Sequence, residues 1–270
     1  MKKGNIILSV FFILILSIGC KSKYQKLLDS TDLDKKYAKA IIYYEDEKYF
    51  KALPLLEELT SVYRGTDKGE KINYTFAYCN YGLGDLLSAS YYFKQFAKTY
   101  PKSTYTEECL YMTAFCNYQL SPKYSLDQSA TYQAIEAYQL FINRFPYSER
   151  VKECNTQIDE LRDKLELKSF ENAKLYVTIS DFKSAIIALD NASEDFPDSE
   201  YREEMEFLRV KSQFLYSKNS IRAKQVERYQ KTTLLYEEFV DLYPESEYLR
   251  EAEQYYVDAN KEISSSATIK

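Results

Sequence analysis

The 270-residue sequence has a formal net charge of −5 and contains 28 Tyr but no His and no Trp. The acidic balance argues against a nucleic-acid-binding protein, because that affinity rests on neutralising phosphates. The lack of His removes the commonest general base and every zinc site that needs one, so we expect no enzyme and no metal or other cofactor. Paired carboxylates such as Glu57-Glu58 remain, but adjacent residues on a helix point in different directions.

The first 19 residues predict a lipoprotein signal peptide. Two lysines precede an apolar run, Ile6 to Ile18, that is too short to span roughly 30 Å of hydrocarbon as a helix, and Gly19-Cys20 follows. This ending resembles bacterial lipoprotein signals, which implies that Cys20 carries acyl chains such as palmitate and begins a tether, residues 20–33. Lys21-Ser22-Lys23 then implies an outer-membrane address with the body facing the periplasm. The alternatives are an uncleaved anchor and an ordinary signal with an incidental Cys.

Four prolines predict corners between helices. The pattern aromatic-Pro-x-Ser recurs as TYPKS (99–103), RFPYS (144–148), DFPDS (195–199) and LYPES (242–246). Pro cannot continue the preceding helix, and the Ser two residues later can cap the next one through its hydroxyl. VYRGT (62–66) is interpreted as a degenerate first corner.

Small residues recur in register with these corners. Twelve residues before each corner proline, or before Arg64 in VYRGT, the sequence has a small residue, and bulky residues follow four and seven positions later. The small residues are Ala52, Ala89, Ala134, Ala185 and Thr232. A second set of small residues falls on the preceding helices, at Ala40, Ala77, Ala114 and Ala173. The pattern resembles the tetratricopeptide repeat in five units, which implies an all-α superhelical array of about five helix pairs with a groove lined by first helices. An unrelated helical bundle is the alternative.

Departures from the repeat period predict local extensions. The stretch SPKYSLDQ (121–128) lengthens one turn, and segment 148–180 carries no helix breaker, so it predicts one long helix. The stretch SKNSIRAKQVERY (217–229) predicts an elongated final pair. Residues 246–262 predict a capping helix, and SSSATIK (264–270) a loose tail.

Aromatic residues are concentrated at the positions expected to face the groove. In the first three units these are Tyr37, Tyr44, Tyr74, Tyr78, Tyr81, Tyr111, Phe115 and Tyr118, with Ile41 the one aliphatic member. Tyr offers a large rigid area and a hydroxyl at low entropic cost, so the pattern predicts a groove for an extended peptide that carries aromatic residues. Alternatively the rings fill the interior and pack on one another.

The cysteines after Cys20 are interpreted as small buried residues. Cys109 and Cys116 lie seven positions apart on a predicted helix, about 10.5 Å along its axis, which is too far for a disulfide. Cys79 and Cys116 could pair only if neighbouring helices brought them together. The redox state of Cys154 stays open.

The whole pattern resembles the D lipoproteins of the outer-membrane β-barrel assembly machinery. The lipid-bearing Cys20, corners such as FPDSEYREE, and the long helix that follows PYSERVKE carry the resemblance. It implies a scaffold whose partners are the barrel-inserting subunit with periplasmic domains, other assembly lipoproteins and unfolded outer-membrane proteins. Units 1–3 (34–147) would hold the substrate groove, units 4–5 (148–245) would dock the partner, and residues 246–270 would form the cap and tail.

For partner docking we single out the charges at the corner before the last unit, Asp198, Arg202 and Glu203; an ordinary solvated helix start is the alternative. Two other functions remain open. One is an adaptor lipoprotein of division or peptidoglycan machinery, and the other is a glycan-capturing lipoprotein, which the absence of Trp disfavours.

Overall fold

The computed structural model describes residues 22–268, which form twelve α-helices and no strand. The predicted signal peptide and Cys20 lie outside the described residues. The helices are α1 (Lys23–Leu28), α2 (Leu33–Glu45), α3 (Tyr49–Val62), α4 (Asp67–Gly82), α5 (Leu86–Thr99), α6 (Thr106–Leu120), α7 (Ser129–Arg144), α8 (Val151–Thr178), α9 (Phe182–Asp195), α10 (Arg202–Lys218), α11 (Arg222–Leu242) and α12 (Leu249–Thr268). Within the described part, no helix is both long and apolar enough to cross a membrane.

The chain divides into two compact units. The first comprises described residues 22–121 and 129–155, and the second comprises 122–128 and 156–268. Helices that follow one another along the chain pack together, from α2 to α7 in the first unit and from α9 to α12 in the second. Helix α8 gives its first residues to the first unit and the remainder to the second. Both units are therefore all-α arrays of helix pairs, which confirms the predicted fold class.

The predicted small residues lie where helices pack. All five on the second helices and all four on the first helices are fully buried: Ala52, Ala89, Ala134, Ala185, Thr232, Ala40, Ala77, Ala114 and Ala173. Side chains of this size let two helix axes approach to roughly 8–10 Å. The bulky residues of the same stripe fill the space between the pairs; Phe93 and Phe141 are fully buried and Phe239 is nearly so. The tetratricopeptide-like register is thereby confirmed.

The four proline corners share one hydrogen-bonding pattern. In the first, Ser103 N–H donates to Tyr100 O (3.0 Å), and Tyr105 N–H donates to Ser103 Oγ (3.0 Å). The other corners repeat both bonds, and their serines are Ser148, Ser199 and Ser246. The prediction that this hydroxyl caps the next helix is therefore wrong: it accepts from the residue before the helix and stabilises the turn that leads into it. Such a hydroxyl satisfies a backbone donor that the helix itself leaves open.

The corner that lacks proline, VYRGT, also forms a hydrogen-bonded turn before the next helix. Thr66 N–H donates to Tyr63 O (3.1 Å), and the Thr66 hydroxyl caps α4 by accepting from Gly69 N–H (3.1 Å). Gly65 adopts φ +78°, a left-handed conformation that suits glycine. A Cβ at Gly69 would lie 2.0 Å from Tyr63 O, so the two glycines allow this tight reversal.

Turns within the helix pairs are also repeated. Glu47, Gly84 and Ser180 each have positive φ, and the following backbone N–H donates to a carbonyl five residues back, as in Lys48 N to Tyr43 O at 2.7 Å. This is the Schellman closure of a helix C-terminus. This shared turn accounts for the similar sequences EKYFKA (47–52), GDLLSA (84–89) and SDFKSA (180–185).

Two extensions can be compared with expectation. The long helix is confirmed as the 28-residue α8. The expected loose tail is not: α12 runs on through Thr268. No Gly or Pro interrupts SSSAT, and the hydroxyls of Ser264 and Ser265 bond to Asn260 O (2.9 Å) and Glu262 O (3.0 Å), so the helix continues.

Candidate functional site

The eight predicted aromatic residues lie on α2, α4 and α6, the first helices of the first unit, and we call them the aromatic face. Seven are partly exposed, whereas Tyr111 is buried, with 9% of its surface exposed. Each of these seven rings is therefore partly accessible to solvent and partly packed against neighbouring side chains.

Ring contacts run along α4 and cross to α6. The ring centroids of Tyr74 and Tyr78 are 4.8 Å apart, and those of Tyr78 and Tyr81 are 6.3 Å apart. Tyr81 then approaches Phe115 of α6 at 6.5 Å. Aromatic pairs favour such tilted and edge-to-face arrangements, which add stability beyond the buried area.

The rings of α6 continue the series. Phe115 stacks with Tyr111 (5.9 Å, 12° between planes) and with Tyr118 (6.5 Å, 18°). At the other end, Tyr44 contacts Tyr49 (6.1 Å), and burial together with the neighbouring Tyr74 raises the pKa of the Tyr44 hydroxyl. From Tyr74 to Tyr118 the rings form one connected series.

A carboxylate anchors the middle of this face. Glu108 accepts from the Tyr78 hydroxyl at Oε1 (2.6 Å) and from Arg150 Nη2 at Oε2 (2.6 Å). The Arg150 guanidinium lies 4.2 Å from the centroid of the Tyr111 ring, and the Tyr111 hydroxyl donates to Glu153 Oε1 (2.8 Å). We call these five residues the Glu108 cluster.

The cluster keeps its tyrosines neutral. Burial and the bond to Glu108 raise the pKa of Tyr78, and burial and Glu153 raise that of Tyr111. Arg150 Nη1 is buried and has no hydrogen-bond partner among the described residues. The Glu108 cluster therefore contains one arginine nitrogen that is buried without a partner.

Sequence reasoning missed Glu108, Arg150 and Glu153. A signal was present: a glutamate lies seven residues after every corner proline, at Glu108, Glu153, Glu204 and Glu251. In the structure each of these carboxylates accepts from a side chain of the preceding first helix. The recurrence thus marks contacts between neighbouring repeats.

The second unit fills the same positions differently. Lys174 Nζ lies 2.8 Å from Glu204 Oε1, and Lys211 Nζ lies 3.0 Å from Glu251 Oε1. Phe170 is buried and stacks on Tyr201 at 4.6 Å, with 4° between the ring planes. The tyrosine series therefore stops after the third repeat.

The three residues singled out for partner docking do not form one cluster of exposed charges. Asp198 is exposed, but Arg202 bonds within the chain, through Nε to Glu206 Oε1 (2.9 Å) and through Nη1 to Ser193 O (2.9 Å). Glu203 is half-buried. Arg202 thus ties the start of α10 to the end of α9.

Cys79, Cys109, Cys116 and Cys154 are fully buried and free of disulfides. Burial raises the pKa of the Cys79 and Cys116 thiols to about 12. The prediction of small packing residues is confirmed. Among residues 22–268 no group of three or more metal-binding side chains occurs.

Comparison with known families decides the affiliation. Residues 30–204 match the YfiO family, described as outer membrane lipoprotein. This chain belongs to the YfiO family. No curated protein matches the sequence significantly.

Two solved structures resemble this YfiO-family chain. The tetratricopeptide-repeat domain of P58(IPK) matches with a TM-score of 0.41 and 13% identity, covering 92% of this chain and 71% of that one. The TPR2AB domain of yeast Sti1, determined in a complex with pHSP90, matches with a TM-score of 0.37 and 13% identity, covering 84% and 98%.

Proposed function

We propose that this YfiO-family lipoprotein is a scaffold of the machinery that assembles β-barrel proteins in the outer membrane, anchored through acylated Cys20 and facing the periplasm. Its aromatic face would bind extended segments of unfolded barrel proteins, including their C-terminal strands. The second unit would hold the barrel-inserting subunit. Family membership supports the setting, and the connected ring series supports the binding face.

Ring spacing favours an extended occupant. Alternate side chains on one face of a β-strand lie roughly 6.5–7 Å apart. The centroids of Tyr78 and Tyr81, and of Tyr81 and Phe115, are 6.3 and 6.5 Å apart. Successive aromatic side chains of a strand would therefore each meet one ring.

The test removes three rings whose hydroxyls lie outside the Glu108 cluster. Substituting Tyr44, Tyr81 and Tyr118 together with Ala should weaken binding of a fluorescent peptide copied from an aromatic-ended barrel strand by at least tenfold. The matched control replaces three exposed tyrosines elsewhere, Tyr91, Tyr132 and Tyr147, which are 57%, 61% and 98% exposed. Anisotropy would measure binding, and circular dichroism would check the helices. Equal affinity of the two triple variants would refute the binding face.

Charge reversal at Arg202 is not a clean test of docking by the second unit. Reversing Arg202 would also break its bonds to Glu206 and Ser193, so lost recovery would be ambiguous. Reversal of Asp198 and Glu203 to Lys avoids this. We expect reduced co-purification with a large barrel protein that has periplasmic domains, and unchanged recovery for Glu245→Lys, the corresponding exposed site of the next corner.

The same isolation tests the alternative function. If detergent-solubilised envelopes yielded division or peptidoglycan proteins and no barrel protein, the scaffold would serve that machinery instead. Undiminished recovery of the barrel protein with Asp198→Lys and Glu203→Lys would place docking elsewhere on the chain.

A further inference from the structure

A cavity of about 640 Å³ lies within the second unit, apart from the aromatic face. The insertion 121–128, helix α8 and the corner at Pro197 supply its walls. The volume falls within the roughly 300–1,000 Å³ typical of small ligand sites, so it exceeds a packing defect. Neither the family description nor the proposed function accounts for it.

The insertion is held rigidly where it forms a wall. Buried Gln128 donates through Nε2 to Lys123 O (2.9 Å) and Leu126 O (3.0 Å). From α8, Lys168 Nζ donates to Tyr124 O (3.1 Å) and Leu126 O (2.7 Å). The loop backbone is therefore fixed from two sides, and the wall is formed before any ligand arrives.

The opposite wall is equally fixed. Ser199 Oγ donates to Glu166 Oε1 (2.5 Å), which ties the corner to α8. The Tyr201 ring is held parallel to Phe170. Tyr124 and Tyr201 thus give the cavity aromatic surface, and Leu167 adds an aliphatic patch.

Carboxylates dominate the charge of the cavity. Asp163, Asp198 and Glu200 are exposed and Glu166 is half-buried; Lys123 and Lys164 are the cations of the lining, and Lys168 beside the loop is engaged by two carbonyls. A bond to Glu200, together with burial and the charges of Glu200 and Glu166, raises the pKa of the Tyr201 hydroxyl. Aromatic faces combined with an excess of carboxylates attract organic cations.

We propose that this cavity binds a basic peptide segment, with an arginine or lysine side chain inserted between Tyr124 and Tyr201 and its charge facing Asp163, Asp198 and Glu200. The aromatic rings contact the apolar stem and the planar or ammonium head, and the carboxylates accept its hydrogen bonds. The rest of the cavity takes the flanking residues. This proposal shares Asp198 with the docking test above but does not rest on the proposed function, because it concerns any partner with an exposed basic segment.

The lack of tryptophan supplies a specific probe. In the full chain purified in detergent, Tyr124→Trp keeps an aromatic wall and becomes the sole tryptophan. A blocked glycine-arginine-glycine peptide should shift its emission saturably, and the isosteric citrulline peptide, which is neutral, should bind at least tenfold more weakly. Spermidine, added as a competitor, should displace the arginine peptide.

Neutralising two carboxylates of the cavity tests whether they bind the arginine side chain. Asp198→Asn with Glu200→Gln should weaken the arginine peptide at least tenfold. The matched pair, Glu245→Gln with Glu247→Gln, neutralises the same two positions of the next corner and should leave affinity unchanged. The proposal is overturned by equal binding of the arginine and citrulline peptides, by no saturable shift, or by equal losses from the two double variants. Loss of peptide binding at the aromatic face would not affect any of these outcomes.

Discussion

The first and second units present the same repeat position with different chemistry. Tyr78 in the first unit corresponds to Lys174 and Lys211 in the second, and each side chain reaches a glutamate of the next repeat. The acceptor is a glutamate carboxylate in both units, whereas the donor is a neutral hydroxyl in the first and an ammonium group in the second. Contact between repeats is kept in both units, and the exposed surface around it is aromatic in one and charged in the other.

The difference shows how one architecture can carry two kinds of surface. Small residues and buried rings recur in both units, so they set the spacing of the helices. Residues such as Tyr81 and Lys174 are half-buried and vary without disturbing that spacing. In repeat arrays each unit contacts its neighbours, and such variation stays local.

Equal core substitutions should have equal effects in the two units. Phe141→Ala and Phe239→Ala each remove a ring that is at most 1% exposed, from corresponding second helices. Each should lower the free energy of unfolding by about 3–5 kcal/mol, because a cavity remains. Urea titration followed by circular dichroism measures this. A loss in one unit more than twice that in the other would show that their cores are built differently.

Neutralising the glutamate seven residues after the corner proline should destabilise the first unit more than the second. Glu108→Gln weakens two bonds at once, and half-buried Arg150 would lose its ionic partner, so we expect a loss of about 1–3 kcal/mol. Glu204→Gln breaks a more exposed pair, in which Lys174 is 43% exposed, and should cost less than about 1 kcal/mol. Thermal unfolding of both variants gives the comparison. Equal losses would mean that the Glu108 cluster adds nothing beyond a surface ion pair.

Alkaline pH should weaken the fold through its tyrosines. The unfolded hydroxyl titrates near 10, and the pKa of Tyr78 is raised in the folded state, mainly by burial and then by Glu108. Below about pH 10 both states keep the proton and the contribution is complete; above it only the unfolded state releases the proton, so stability falls as pH rises. Tyr78→Phe should reduce this slope by up to about 1.4 kcal/mol per pH unit.

The matched substitution for the alkaline experiment is Tyr147→Phe, because that side chain is 98% exposed. Urea midpoints between pH 9 and 11 would give the slopes. If Tyr147→Phe altered the slope as much as Tyr78→Phe does, burial would not be its origin.

Salt should produce the smallest effect. Lys174→Met removes an exposed ion pair worth about 0–1 kcal/mol at low salt, and about 1 M NaCl should abolish that difference because the Debye length shrinks to about 3 Å. Tyr78→Phe should cost the same at both salt concentrations, since a neutral donor is lost. Salt-dependent loss in Tyr78→Phe would contradict the contrast between the units.

The sequence predicted the repeat because steric constraints are local. Ala52 or Ala89 must be small wherever two helices cross, and a proline corner is visible in a few residues. The helix pairs, their register and the long α8 followed from such signals. The positions of the tyrosines on first helices followed from the same register.

Long-range partners could not be predicted in this way. Glu108 and Arg150 are 42 positions apart, and Lys168 holds a loop carbonyl 44 positions away. Nothing near Arg150 in the sequence indicates which carboxylate it meets, because the length of the intervening turn sets the approach. Arg202 was interpreted as available for the same reason, since its acceptors become visible only when α9 and α10 are packed.

The hydroxyl of Tyr78 has a consequence for the conditions under which the aromatic face operates. It remains uncharged through the acidic and neutral range, and its acceptor, Glu108, is already engaged by Arg150. A contact made through the Tyr78 hydroxyl would therefore not change with acidity in that range, because the hydroxyl keeps its proton.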